Sequence, residues 1–474
     1  MRRDPLSRLA GSLRGDVRRD LAARDAAGHD GSHLVGRPSA VVAPADPRDV
    51  VTLVRWARRH RCPLVARGGG TSLDGESVPA PGAVVVDFSG WDRITEISVD
   101  GRWARVEPGV INTHLQAATH AHGLFFPPNP GSWQSCTIGG NVGTNASGPR
   151  SFRYGPTRRW VREVEAVLGT GESVRLGSRV EKRSVGPDLL QLFIGSEGTL
   201  GLATSITVRL EPEPRVRRGL IVPLPARPRL GRLVLRLAHA RGTGLSAIEY
   251  LDRYSAGGLA TDREAPWGED AALLLLEVEA DSPTEADRRI ARVRAVLAAQ
   301  AVGRGVREFA DADRLWDLRG ESSRVMDERL GHRIREDVAV PLRHVDEMLR
   351  QVQAIARREE VAVHTFAHLG EGSLHPNFVV DPASPTAERI RAATYAAALR
   401  WGGTISAEHG VGVVKRSYLE AEVGAVGVRL LHAVRAACDP DGVLNPGKLY
   451  PTRGAAPRSS RSPSGAAAGR AGRR

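Results

Sequence analysis

From Phe125 to Tyr154 the chain reads FFPPNPGSWQSCTIGGNVGTNASGPRSFRY, a stretch without apolar periodicity and crowded with Gly, Pro, Ser, Thr and Asn. A connection this long is rare inside a compact domain unless it serves a ligand, because its main-chain polar groups need partners that no ladder supplies. Any fold must therefore build a binding surface around it. Upstream, VARGGGTS over 65–72 puts three glycines after a strand-like run, where bare amides can approach a pyrophosphate without interference from a Cβ. No Lys-Ser/Thr follows, which excludes a Walker loop, and the GxGxxG spacing of a Rossmann fingerprint is missing. Three glycines alone leave a tight turn and a phosphate cradle equally open. Downstream, GSEGTLG over 195–201 adds further amides and short hydroxyls.

The surrounding pattern is regular. After PADP, Val50, Val51, Leu53, Val54 and Ala57 recur at helical spacing, and AVVVDF reads as a strand beyond the glycine loop. Asp100-Gly101 sits between two alternating segments, a hairpin signal, and residues 112–122 read as a short helix. Past the Pro-containing segment EPEPRVRR, strands such as GLIVPL, LSAIEYL, ALLLLEVEA and EDVAVPL alternate with amphipathic helices near 227–241, 283–300, 342–359 and 386–401. That order predicts an α+β sheet with helices on one face. The expected division is a helical or irregular N-terminal segment 1–35, a first domain 36–213, a second domain 214–450 and a disordered basic tail 451–474.

The 474 residues and 41% apolar content permit a large core and two or more domains. The formal charge of +13 invites a nucleic-acid reading, but residues 1–24 hold seven Arg against three Asp and residues 451–474 hold six Arg and no acid. The body between them carries only +3, so no nucleic-acid partner is expected. Cys62, Cys136 and Cys438 lie far apart with no CxxC pair, against a disulfide framework or an iron-sulfur cluster and in keeping with a reducing cytoplasm. No run approaches a membrane span, although peripheral attachment stays open. Lys182, Lys415 and Lys448 are the only lysines, and two of them fall within the motifs below.

In the second half, VHTFAHLGEGSLH over 363–375 is followed by SAEHGVG over 406–412. If His368 and His375 end facing strands of a hairpin turned by Gly370 and Gly372, their imidazoles converge, and Glu408 is the natural third ligand. Two imidazoles and a carboxylate suit Zn, Mn or Fe. Spacing alone favours a polar surface hairpin with incidental histidines over a site.

The glycine loop, the 125–154 stretch, GSEGTLG and the ending CDPDGVLNPGKLY together resemble the vanillyl-alcohol oxidase class, whose FAD-binding domain is also called the PCMH fold. The likeness runs from Pro38 to Leu449. It implies an α+β fold: a PCMH-type FAD-binding domain, then an α+β substrate domain with an antiparallel sheet and a C-terminal segment returning to the flavin. It also implies that Arg67, Gly68, Gly69, Gly70, Thr71, Ser72 and Leu73 wrap the FAD pyrophosphate. Pro130, Gly131, Ser132, Cys136, Thr137, Gly139, Gly140, Asn141, Thr144, Asn145 and Ser147 would line the isoalloxazine and ribityl side, with Glu197 and Gly201 near the adenosine and Asn445 in the closing motif. The glycine loop holds no histidine, so the implied attachment is non-covalent.

Within that class the second half is similar to the D-2-hydroxyacid dehydrogenases, which include D-lactate dehydrogenases, the glycolate oxidase flavin subunit and D-2-hydroxyglutarate dehydrogenase. The resemblance implies metal ligands at His368, His375 and Glu408, a proton-accepting base at His409, and a carboxylate-gripping Arg319, while His364 has no counterpart. Ser323 falls one helical turn after Arg319. Ser323 and Arg335 stand where the D-2-hydroxyglutarate branch has Thr and Lys, Asn377 is retained, and Glu371 and Ser373 replace Asp and Asn. The implied activity is FAD-dependent oxidation of a small 2-hydroxy acid, with electrons passed to a separate quinone, cytochrome or electron-transfer flavoprotein. An oxygen-using oxidase and a non-catalytic flavin-binding subunit are the competing readings.

Overall fold

The structure, a computed structural model, describes residues 5–225, 228–256 and 271–451; seven side chains of one helix, at 322, 323, 325–327, 329 and 330, are also outside the description. The basic tail expected beyond 451 lies outside the described residues.

Among the described residues the first half holds, besides a two-stranded pairing of Leu124–Phe125 with Glu211–Pro212, two main sheets. In the smaller, Ala40–Ala43 and Leu64–Arg67 flank Val84–Asp87 in parallel, and Asp16–Arg18 adds an antiparallel edge. The helix Pro47–His60 covers it: Asp46 caps its first turn, and Val50, Leu53, Val54 and Ala57 form the apolar stripe buried against Val84 and Val86. The larger sheet is antiparallel, in the order Ile94–Ser98, Trp103–Val106, Gly201–Arg209, Val161–Leu168, Ser173–Gly177. The chain end returns to the smaller sheet, where Leu444 bridges to Leu64 in parallel and Asn445 N–H donates to Leu64 O at 2.7 Å.

The second half is one large antiparallel sheet built mainly from Val216–Pro223, Leu245–Leu251, Leu273–Ala280, Val363–His368 and Ser373–Phe378. Strand alternation gives this sheet two different faces. Leu274, Leu276 and Val278 meet the four amphipathic helices Leu230–His239, Pro283–Ala298, Val345–Arg358 and Pro385–Arg400. The helices do not all lie on that face. Asp313–Leu330 packs Leu315 and Leu318 against Ile221, Leu273 and Leu275 on the other side, because its short apolar stripe matches the opposite register. EDVAVPL contributes only the two-residue strand Val338–Ala339, since its carboxylates are drawn into buried contacts of their own. The 125–154 stretch hides a helix, Ile138–Thr144, whose glycines allow close packing and leave too few apolar residues to show a period.

The face opposite the four helices meets the first half through buried charge. Glu277, fully buried, takes both Nε and Nη2 of Arg150 at 3.0 Å, Ser246 Oγ at 2.7 Å and Trp316 Nε1 at 2.6 Å. Burial opposes ionisation of Glu277, but Arg150 outweighs it and holds the carboxyl down at about 2. The folded value lies below the unfolded one, so this stabilisation is complete above the ordinary carboxylate range and is lost as pH falls towards 2. Arg150→Ala should cost roughly 3–5 kcal/mol in chemical denaturation at neutral pH, because it leaves Glu277 buried without its counter-charge. The deficit relative to the parent should shrink as pH falls through that window.

Candidate active site

A cleft of about 1420 Å³ opens between the two halves. Drug-sized pockets hold roughly 300–1,000 Å³, so this one has room for a dinucleotide and a substrate together. One wall is main chain. A Cβ on Gly69 would sit 2.1 Å from Ser135 O, and one on Gly68 would sit 2.2 Å from Thr137 Oγ1, so the glycine loop reaches the 132–137 segment only because it has no side chains there. Arg67, Gly68, Gly69, Gly70, Thr71, Ser72 and Leu73 all line the cleft, as do Pro130, Gly131, Ser132, Thr137, Gly139, Gly140, Asn141, Thr144, Ser147, Glu197 and Gly201. Amides, short hydroxyls and a helix start at Thr137 suit phosphate and ribose.

Three residues expected on this wall stand behind it. Cys136 is buried, and burial pushes its thiol up to about 11. Asn145 closes the helix with φ 55° and accepts from Arg158 N–H. Asn445 Nδ2 donates to both Glu76 O and Glu197 O, tying the chain end to two cleft segments.

The other wall is the inner face of the large sheet. His368 and His375 lie on paired strands joined by the turn Leu369–Glu371 and Gly372, whose φ of 77° reverses the chain. Their imidazoles are buried and 4.9 Å apart, in edge contact. Glu408 reaches them from the 406–412 loop, with Oε1 2.9 Å from His368 Nε2 and 3.4 Å from His375 Nε2, while Ser147 Oγ donates to its Oε2 at 2.9 Å. The ligand atoms of His368, His375 and Glu408 lie within 4.8 Å of one another, so the trio could hold a divalent ion.

The electrostatics favour that set. Burial, then the neighbouring His368, lowers His375 to about 3 and keeps it neutral. Burial opposes charge on Glu408, but His368 and the other two histidines hold it ionised at about 2. Burial would also lower His368, yet Glu249 and Glu408 raise it well above its ordinary range, so it shares a proton that a bound cation would replace.

His409 lines the same cleft, its ring 5.2 Å from that of His375. Arg319 projects from the helix Asp313–Leu330 over the Phe366 ring, 4.4 Å from its centre, and lies 3.9 Å from Glu249. Arg335 lines the cleft as well, beside Asn377 in the strand register. Asn377 turns its Nδ2 to His375 O at 2.9 Å and supports the ligand strand. The side chain of Ser323 lies outside the described residues. His364 is buried on the same face, and burial followed by the Arg333 charge lowers it to about 4.

Sequence reasoning missed Glu249 and Asp337. Glu249 accepts from or shares a proton with His368 Nδ1 at 2.8 Å, and Asp337 lies 3.7 Å from His375 Nδ1. Both stand behind imidazoles of the candidate ligand set, where carboxylates are common at metal sites. The signal for Glu249 was a lone carboxylate inside the apolar run LSAIEYL; Asp337, beside Glu336 at the head of EDVAVPL, had no such mark.

A cradle of this size, faced by imidazoles, a carboxylate and an arginine, defines a two-domain flavoprotein oxidoreductase of PCMH-type fold. Residues 38–177 match the family described as "FAD binding domain" and residues 213–449 that described as "FAD linked oxidases, C-terminal domain"; the chain belongs to the FAD-linked oxidase family. It is 33% identical to glycolate oxidase subunit GlcD of Bacillus subtilis over 87% of this chain and 89% of that protein. It is 34% identical to D-2-hydroxyglutarate dehydrogenase of Stutzerimonas stutzeri, covering 92% and 96%. It is 32% identical to D-lactate dehydrogenase of Archaeoglobus fulgidus, covering 86% and 90%. Substrate-bound p-cresol methylhydroxylase shares the fold with a TM-score of 0.79 at 16% identity, covering 94% and 96%.

Gly69→Ala should abolish flavin retention, read as the flavin-to-protein absorbance ratio of the purified protein. Gly90→Ala, exposed outside the cleft and with nothing within 4 Å of the added Cβ, should leave the ratio unchanged.

Proposed function

We propose that the protein oxidises a 2-hydroxy acid, of D configuration where the acid is chiral, such as D-lactate, glycolate or D-2-hydroxyglutarate, to the 2-oxo acid and passes the electrons to a separate acceptor: a quinone, a cytochrome or an electron-transfer flavoprotein. The observation that carries this reading is the convergence of His368, His375, Glu408, His409 and Arg319 on one wall of the flavin cleft. When bound, FAD supplies the hydride acceptor and a divalent ion on His368, His375 and Glu408 supplies Lewis-acid polarisation of the substrate oxygens. The chain's own groups do the rest.

Arg319 is the partner for the substrate carboxylate: stacking on Phe366 fixes the plane of its guanidinium and so the direction of its paired donors. Arg335, on the cleft wall near Asn377, is suited to a second polar group of the substrate. His409 takes the hydroxyl proton. Its Nδ1 is buried on the side of Asp337, which leaves Nε2 as the nitrogen available to the cleft. The domain partition that goes with this reading is 36–213 for the cofactor and 214–450 for substrate and metal.

Anaerobic flavin bleaching, screened against D- and L-lactate, glycolate, malate and 2-hydroxyglutarate, tests the substrate class; no bleaching by any 2-hydroxy acid would overturn it. Metal removal by chelation should slow the reaction, and re-addition of Zn, Mn or Fe should restore it. His409→Asn should keep the flavin spectrum and lose at least about 100-fold in the rate of flavin reduction, in line with removal of a general base. Near-parental reduction would mean that another group takes the proton.

A further inference from the structure

The loop carrying Glu408 and His409 is neither helix nor strand, yet its main chain is held at almost every residue. One oxygen of Asp337, Oδ2, accepts the N–H groups of Ala407 at 3.0 Å, Glu408 at 2.9 Å and His409 at 2.9 Å, together with Ser406 Oγ at 3.1 Å. Glu197, from the flavin-binding half, accepts the next two free amides, Val411 at 2.6 Å and Gly412 at 3.0 Å. Two buried carboxylates from opposite halves therefore share one loop.

Asp337 is wholly buried, and a buried charge is tolerated only with counter-charge and donors around it. Lys415, also wholly buried, supplies the charge: its Nζ lies 2.9 Å from Asp74 Oδ2, 3.1 Å from Ser406 Oγ and 3.6 Å from Asp337 Oδ2. The compact ammonium reaches three acceptors in different directions, which a planar guanidinium cannot do. That gives a physical reason for a lysine here in a chain whose other cations are nearly all arginine.

The rest of Asp337 faces the imidazoles. Its Oδ1 lies 3.7 Å from His375 Nδ1 and His409 Nδ1 lies 3.9 Å from Oδ2, and among the described residues none of Oδ1 and the two nitrogens has a hydrogen-bond partner. One carboxylate thus sets the main chain from which Glu408 and His409 project and stands behind two imidazole rings.

We propose that Asp337, neutralised by Lys415, is the positioning residue that sets His409 and Glu408 in working geometry at once. This rests on the 2-hydroxy acid reading for the role of His409, but its effect on Glu408 and His375 is independent of the substrate. A carboxylate that merely stabilised the fold would lower the melting temperature when removed and leave the properties of the folded fraction unchanged.

The experiment compares FAD-loaded parent and Asp337→Asn protein in two measurements. Zinc affinity by competition with a chromophoric chelator should weaken by about 10–100-fold, the usual effect of losing a carboxylate behind a ligating histidine. In proteins that oxidise a 2-hydroxy acid, kcat should fall by about 100-fold with KM changed less than about threefold, as for a misplaced group acting in the transition state. Parental zinc affinity and kcat in the folded, flavin-loaded variant overturn the proposal. If the parent oxidises no 2-hydroxy acid, the functional reading fails while the zinc measurement still decides the role of Asp337. Should Asp337→Asn not retain flavin, Ser406→Ala, which removes only the hydroxyl between Asp337, Lys415 and Gly410 O, should lose about tenfold in zinc affinity. Unchanged affinity in that variant overturns the proposal equally.

Discussion

The paired bonds between Arg150 and Glu277 hold the two halves of the molecule at the spacing the cleft requires. Arg150 ends the ligand-facing stretch of the first half, and Glu277 lies mid-strand on the inner face of the large sheet. Without that pairing each half would present a buried charge to the other, and the cofactor wall would not face the histidines. Tyr154 and Arg153 add to the seam through Glu279, and Ser147 carries it on to Glu408. The interface is thus polar where soluble cores are usually apolar: Glu277 and Glu279 come from the alternation of one sheet face, and Glu408 from the 406–412 loop beside it.

That alternation divides labour within the second half. Residues facing the four helices are aliphatic and fill a core, whereas the opposite face carries Glu249, Glu277, Glu279, His364, His368 and His375. A one-residue slip in register would exchange these sets and destroy both core and site together. The hairpin turned by Gly372 fixes this register for the two histidines, and its glycine is needed because a Cβ there would lie 2.1 Å from Val340 O.

Much of this was legible in the sequence. The four amphipathic helices, the Asp100-Gly101 hairpin and the main strands follow from period and turn chemistry alone. The 125–154 stretch pointed to a ligand because no strand or helix period accounted for so long a connection, whereas the glycine loop alone left a tight turn equally open. The helix Ile138–Thr144 was hidden because glycine makes it thin, and the helix Asp313–Leu330 was not among the four predicted because its apolar stripe is short. Cys136, Asn145 and Asn445 belong to the cleft's motifs but serve its framework, a difference of side-chain direction that a motif cannot encode.

The sequence by itself determined the element types, the separation of a near-neutral body from basic ends, and the residue types able to hold a flavin and a cation. Tertiary structure alone decided which carboxylates serve those residues. Glu249 reaches His368 from 119 positions away and Asp337 reaches His409 from 72, distances over which no periodicity or local propensity carries information. Only strand pairing and burial bring such charges together, and burial makes each of them depend on the others.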